Sequence, residues 1–196
     1  MRWTSFVIAA YVVMALEVGL AQHIAIDTSW GPAAPSFALV LAVFISLHAP
    51  IRTAVLACGI LGLLVDLAAS PYTLAEPATA HTVTLIGPYA LGYAAGGYLV
   101  ILMRPMLIRR HPMALAVMSL LAGAEVHLVV LALLWVRQWY EPLAAFHAVE
   151  QLSPRALGLL YTSGLAIFLA FPLSWSAGTF AFPTPQRNTL RAPRTR

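Results

Sequence analysis

Long apolar runs, almost empty of charge and edged by arginine, constrain this chain more than any other feature. A helix needs ~20 mostly apolar residues to cross ~30 Å of hydrocarbon. Runs of that kind cover residues 3–24, 53–70, 81–103, 113–136 and 156–176, and a shorter one covers 36–49 between Pro35 and Pro50. At ~1.5 Å per residue the short run reaches about two-thirds of the way across, so it either begins nearer Trp30 or is a partly inserted helix. The expected fold is all-α: a polytopic membrane protein with about six transmembrane helices within residues 1–182. The remainder, 183–196, has no apolar periodicity and reads as a disordered basic cytoplasmic tail.

Composition agrees. Hydrophobic residues make up 61% of the 196 and charged residues 9%, against roughly 25% charged in an average soluble domain. A soluble molecule of this size would lack the polar groups to cover its surface; a lipid-facing one does not need them. The net charge of +4 comes from Arg alone, with no Lys. These arginines flank apolar runs and do not form a stripe interleaved with aromatics, so they point to orientation and anionic lipid headgroups, not to nucleic acid. The single cysteine, Cys58, excludes an intramolecular disulfide and reads as a small packed side chain.

Arg placement also sets the topology. With the N-terminus inside, the cytoplasmic pieces hold Arg2, Arg52, Arg104, Arg109, Arg110, Arg187, Arg191, Arg194 and Arg196, while the outer loops hold only Arg137 and Arg155. This bias predicts both ends in the cytoplasm and an even number of crossings. A cleavable signal is the competing reading of the first run, because Gly19-Leu20-Ala21 resembles a cleavage site. Glu17 inside the apolar stretch argues against it. The expected location is the bacterial inner membrane, multi-pass.

Polar side chains within such runs are functional candidates by default. Glu17, Asp66 and Glu125 lie 14, 13 and 12 residues beyond the starts of outward-running helices at positions 3, 53 and 113. That places all three at ~18–21 Å from the cytoplasmic side, in one layer. Tyr161, Thr162 and Ser163 reach a similar depth from the other direction, and Tyr89 does so on the fourth helix. No Arg falls in the layer, so the acids must be protonated or engaged by hydroxyl, amide or His donors. Interhelical hydrogen-bonded glue is the favoured reading, and a proton- or cation-coupled transport site is the sharper one. His127 is two residues from Glu125 and points to a nearly opposite face, so the two do not form an acid–base pair. Cys58, Gly62 and Asp66 share one face of the third helix. Gly92 and Gly96, widened by Gly97, offer a close-approach face on the fourth, and the two faces are expected to pack together.

Enzyme signatures are missing. There is no His-Glu-x-x-His pair, no Gly-x-Ser nucleophile site, no second intramembrane Asp and no phosphate-cradling glycine loop. The expectation is a non-enzyme without catalytic residues, metal or cofactor.

The segment Gly59-Ile60-Leu61-Gly62-Leu63-Leu64-Val65-Asp66-Leu67 resembles the most recognisable stretch of the rod shape-determining protein MreD family, a Gly-Leu-x-x-Asp-Leu pattern in an early helix. The polar loop 71–80, then Gly92-Tyr93 in a helix ending at Arg104, then the basic turn Arg109-Arg110-His111-Pro112, follow the same layout. The final helix with Phe171-Pro172-Leu173 is also similar. The loop after Asp66 departs from the pattern: it lacks a Leu-Gly step and is lengthened by Pro71 and Pro77. The resemblance implies a fold like that of the substrate-binding subunits of energy-coupling-factor transporters. It also implies a non-catalytic scaffold of the cell-elongation complex. Such a scaffold binds a bitopic MreC-like protein and, through it, MreB-like actin and peptidoglycan-synthesis enzymes. Asp66 would then be an interface or conformational residue. The alternative is a small-solute, vitamin-type binding subunit of a transporter. A closed, polar-rimmed cavity lined by the outer loops would favour the binder, and an exposed apolar groove the scaffold.

Overall fold

The structure, a computed structural model of the chain, describes residues 1–21, 23–29, 31–68, 72–73, 82–83, 86–106, 112–140 and 148–182. The expected tail 183–196, most of the 71–80 loop, Trp30 and the turn residues Arg109, Arg110 and His111 lie outside them.

Six α-helices carry the described fold: α1 (Trp3–Gly19), α2 (Phe37–His48), α3 (Ile51–Ala68), α4 (Pro88–Met103), α5 (Pro112–Arg137) and α6 (Ala148–Ser176). A 3₁₀ turn, Arg104–Met106, follows α4. Two small antiparallel hairpins, not anticipated from the sequence, sit in the connections. One pairs β1 (Ile26–Thr28) with β2 (Gly31–Ala33), and the other pairs β3 (Tyr72–Thr73) with β4 (Thr82–Val83).

Among the described residues three helices are long and apolar enough to cross a membrane: α3, α5 and the Pro154–Ser176 part of α6. The exposed outer faces of α1 and α6 fit a lipid solvent. Val7, Ile8 and Tyr11 on α1 and Phe168, Phe171 and Trp175 on α6 are exposed, Trp175 to 92%. Aromatic and aliphatic faces of this extent would drive association in water and are at rest in hydrocarbon.

The helix boundaries correct the sequence reading in four places. The sixth helix begins at Ala148 and not at 156, running on through Pro154. The first run ends at Gly19 and not at 24, because Ala21 and Ile24 enter turns leading to the β1–β2 hairpin. The fourth begins at Pro88 and not at 81, since Thr82 and Val83 are extended. Pro88 opens that helix, where its missing N–H is no loss. The second run does not extend back toward Trp30. It stays at 12 residues, about 18 Å long.

That short helix is the centre of the molecule. Every residue from Phe37 to Leu47 is buried, as expected of a helix apolar on all sides. It packs against α1, α3, α4, α5 and α6. Its one internal hydroxyl, Ser46, donates back to the Ala42 carbonyl at 2.9 Å and lies 3.2 Å from Cys58 Sγ. Around it α3 packs on α4, α4 on α5, and α5 on α6.

The start of α1 meets the segment 179–182, just after α6, at one end of the bundle. The Arg2 N–H donates to the Phe180 carbonyl at 2.9 Å, and Ser5 Oγ donates to Thr179 O at 2.9 Å. Phe180 and Phe182 stack there and pack on Phe44 near the end of α2. Arg104 Nη1 donates to Ala49 O at the same end, 2.7 Å away. The opposite end holds the start of α2, the end of α3, the start of α4 and the β1–β2 hairpin.

Candidate functional site

Two of the three acids expected in one layer, Glu17 and Asp66, are engaged at the end opposite Arg2 and Arg104. A helix leaves its leading N–H groups without intrahelical acceptors. In a low-dielectric interior each such group costs free energy unless something accepts it. Two carboxylates from other helices do so here.

Asp66, near the end of α3, is 2% exposed. Its Oδ2 accepts from the N–H groups of Gly87 (2.9 Å) and Ala90 (3.0 Å), and its Oδ1 from that of Tyr89 (3.1 Å). Pro88 has no N–H, and Leu91 already donates to Gly87 O. One side chain therefore satisfies every N–H at the start of α4. Gly87 itself sits at φ +128°, a conformation that L side chains rarely adopt. With no side chain of its own there, α4 is capped entirely from α3. A carboxylate at this position also faces the positive end of the helix dipole.

Glu17 plays the same part for α2. Its Oε2 accepts from Phe37 N (2.6 Å) and Ala38 N (3.1 Å). Ser36, the N-cap residue, accepts from Leu39 N at 3.2 Å through Oγ, and its own N–H donates to Thr162 Oγ1 at 3.0 Å. Thr162 donates in turn to Gly158 O at 2.7 Å. Ser36 Oγ is also 3.2 Å from the Tyr93 hydroxyl. The start of the buried helix is thus tied to α1, α4 and α6 through side chains that need no charge partner.

The two glycine faces do not pack as one pair. Gly62 meets the start of α4: an added Cβ would collide with the Tyr89 carbonyl and approach Ala90 Cα at 2.7 Å. Gly97 faces Cys58 and Ser46. Gly92 and Gly96 instead face α5, where an added Cβ would lie 3.0 Å from Val126 O and 2.9 Å from Ala122 O. The small residues therefore distribute α4 between two neighbours.

Glu125 and His127 part company, as their spacing predicts. Glu125 is half-buried and makes no hydrogen bond among the described residues. His127 lines an open-sided cavity of about 410 Å³ to which all six helices contribute. Glu17, Ser36, Tyr89, Tyr93, Arg155 and Thr162 supply the rest of its polar wall, and Leu39, Val65, Val126 and Leu159 part of its apolar wall. Pro32 of β2 and the neighbouring Ala34 also line it. The Nδ1 atom of His127 is buried without a hydrogen-bond partner.

Sequence reasoning missed Tyr93 and Ser36 and used Arg155 only as a topology marker. A signal existed for Ser36, since a Ser just before an apolar helix is a standard N-cap pattern. None existed for the cavity, which arises where helices cross. Among the described residues no group of three His, Cys, Asp or Glu side chains could hold a metal ion. Comparison with protein-family models, with curated proteins and with solved structures finds no match for the chain.

Proposed function

We propose that the protein is a non-catalytic, multi-pass scaffold of the bacterial inner membrane that helps set rod cell shape. In this reading six helices cross the bilayer, both ends are cytoplasmic, and α2 is the short central one. The hydrogen bond between Arg2 and Phe180 supports an even number of crossings. The partner is a single-span protein of the MreC type, through which MreB-like actin and peptidoglycan-synthesis enzymes are reached. The observation that carries the reading is the use made of Asp66. The residue at the heart of the MreD resemblance fastens α3 to α4 with both oxygens engaged. A carboxylate so committed is a joint and not a proton relay. The exposed apolar faces of α1 and α6 offer surface to partner helices as well as to lipid.

The test is co-purification of an MreC-type partner from membranes, with cell shape scored beside it. Wild-type protein retains the partner, and Asp66→Asn rounds the cells while solute uptake is unchanged. Rod-shaped cells with lost uptake would overturn the scaffold reading.

A second reading, the small-solute binding subunit of a transporter, is favoured by one observation. The cavity has polar groups in its wall, includes Pro32 of the β1–β2 hairpin, and lies toward the end away from Arg2 and Arg104. Its volume is at the small end of ligand pockets.

A further inference from the structure

We infer that Glu125 anchors a docking face on α5 for a partner's transmembrane helix that carries a basic side chain near its midpoint. Such docking requires α5 in lipid and holds whether or not the chain sets cell shape. Glu125 lies 13 residues after Pro112 and 12 before Arg137, so it is ~18–20 Å from either end of the helix. Long basic side chains near helix ends escape to water along their stems. A glutamate at mid-helix has no such route. Nothing within the molecule answers it either. Glu125 has no hydrogen bond or ion pair among the described residues, whereas Glu17 and Asp66 are held by backbone N–H groups. The neighbouring α4 packs on α5 and carries no charged residue between Pro88 and Met103. His127 lines the cavity, two residues on and nearly opposite around the helix.

The surface beside Glu125 is open. Leu121, Ala124, Leu128 and Ala132 are exposed, Leu128 to 64%. Spaced by three or four, they form one stripe along α5. Glu125, half-buried, sits at its edge, four residues after Leu121 and three before Leu128. The stripe suits a helix: the leucines give apolar contact, and the alanines let a backbone approach closely. Charge decides among occupants. Lipid tails and purely apolar helices cover the leucines but leave the carboxyl unmatched. A symmetric contact between two copies of the stripe sets Glu125 near Glu125 and adds repulsion. A basic side chain on a partner helix supplies both a donor and the opposite charge, and intramembrane acids pair in this way.

The experiment uses the full chain in phosphatidylcholine vesicles and three synthetic single-span peptides of leucine and alanine. They differ only at the midpoint, which is lysine, glutamate or leucine. Association is read by energy transfer between a dye on the peptide and a dye on a tag at the protein's N-terminus. The lysine peptide is expected to associate at least tenfold more strongly than the leucine peptide, and the glutamate peptide no better than the leucine one. Glu125→Gln should bring the lysine peptide down to the level of the leucine peptide, and Glu125→Asp should keep the preference. Exclusion of maleimide from the buried Cys58 confirms that each variant is folded. Equal association of the lysine and leucine peptides with the wild-type chain overturns the assignment, as does a lysine preference that survives in Glu125→Gln. Self-association of the chain that Glu125→Gln abolishes, with all three peptides indifferent, overturns it in favour of a second copy.

Discussion

Replacing Asp66 by Ala isolates the joint between α3 and α4. The substitution removes three charge-assisted hydrogen bonds and leaves the N–H groups of Gly87, Tyr89 and Ala90 without acceptors in a site that is 2% exposed. Hydrogen bonds to a charged group contribute about 1.5–3 kcal/mol each. Against their sum stands the desolvation of the carboxylate itself, which the mutation relieves. The net loss of stability is then about 3–5 kcal/mol, as for other one-sided losses of a buried charged partner. At 1.4 kcal/mol per tenfold, that is a rise of at least ~100-fold in the unfolded fraction. Cys58 is the sole thiol and is fully buried, so maleimide labelling across an SDS titration reports unfolding directly. Asp66→Asn keeps one acceptor oxygen but turns an amide toward a remaining N–H; it should lose roughly half as much. An Ala variant within about 1 kcal/mol of wild type would refute the capping argument.

Other outcomes follow from the packing. Gly62→Ala must push α3 from the Tyr89–Ala90 backbone, since the new Cβ falls 2.7 Å from Ala90 Cα; a loss of about 1–3 kcal/mol is expected in the same labelling assay. Gly59→Ala, with nothing within 4 Å of the new atom, should be neutral or stabilise by up to about 1 kcal/mol through helix propensity. Ser36→Ala removes the cap on Leu39 N and the link to Tyr93, and should cost about 1 kcal/mol. Trp175, 92% exposed on α6, should be quenched by brominated lipid in a variant that keeps it as the only tryptophan. Quenching by aqueous iodide instead would place that face in water.

Most of the helical layout is legible in the sequence, because hydropathy and Arg placement act over whole segments. The shared level of Glu17 and Asp66 is also legible, since it follows from counting residues along outward-running helices. Their partners are not. Both acids accept from backbone N–H groups, and a backbone group has no residue identity to search for. The start of α4 is misread for a related reason: residues 82–86 are apolar enough to continue a span, and hydropathy outweighs the Gly87-Pro88 helix-start signal. For α2, complete burial and membrane insertion share one apolar pattern, so only the structure shows it enclosed by its neighbours. The cavity depends on which small residues meet at helix crossings, Gly158 against Ala34 O among them, and single-helix periodicity carries none of that.

Backbone amides at a helix start ordinarily exchange fast with solvent deuterium, because no carbonyl of the preceding turn accepts from them. Residue-resolved exchange of the nanodisc-embedded protein therefore addresses the capping carboxylates themselves. Slow exchange is predicted at Gly87, Tyr89 and Ala90 and at Phe37 and Ala38, with the first three accelerating in Asp66→Asn and the last two unaffected. Fast exchange at these five amides in the wild-type protein would contradict the account.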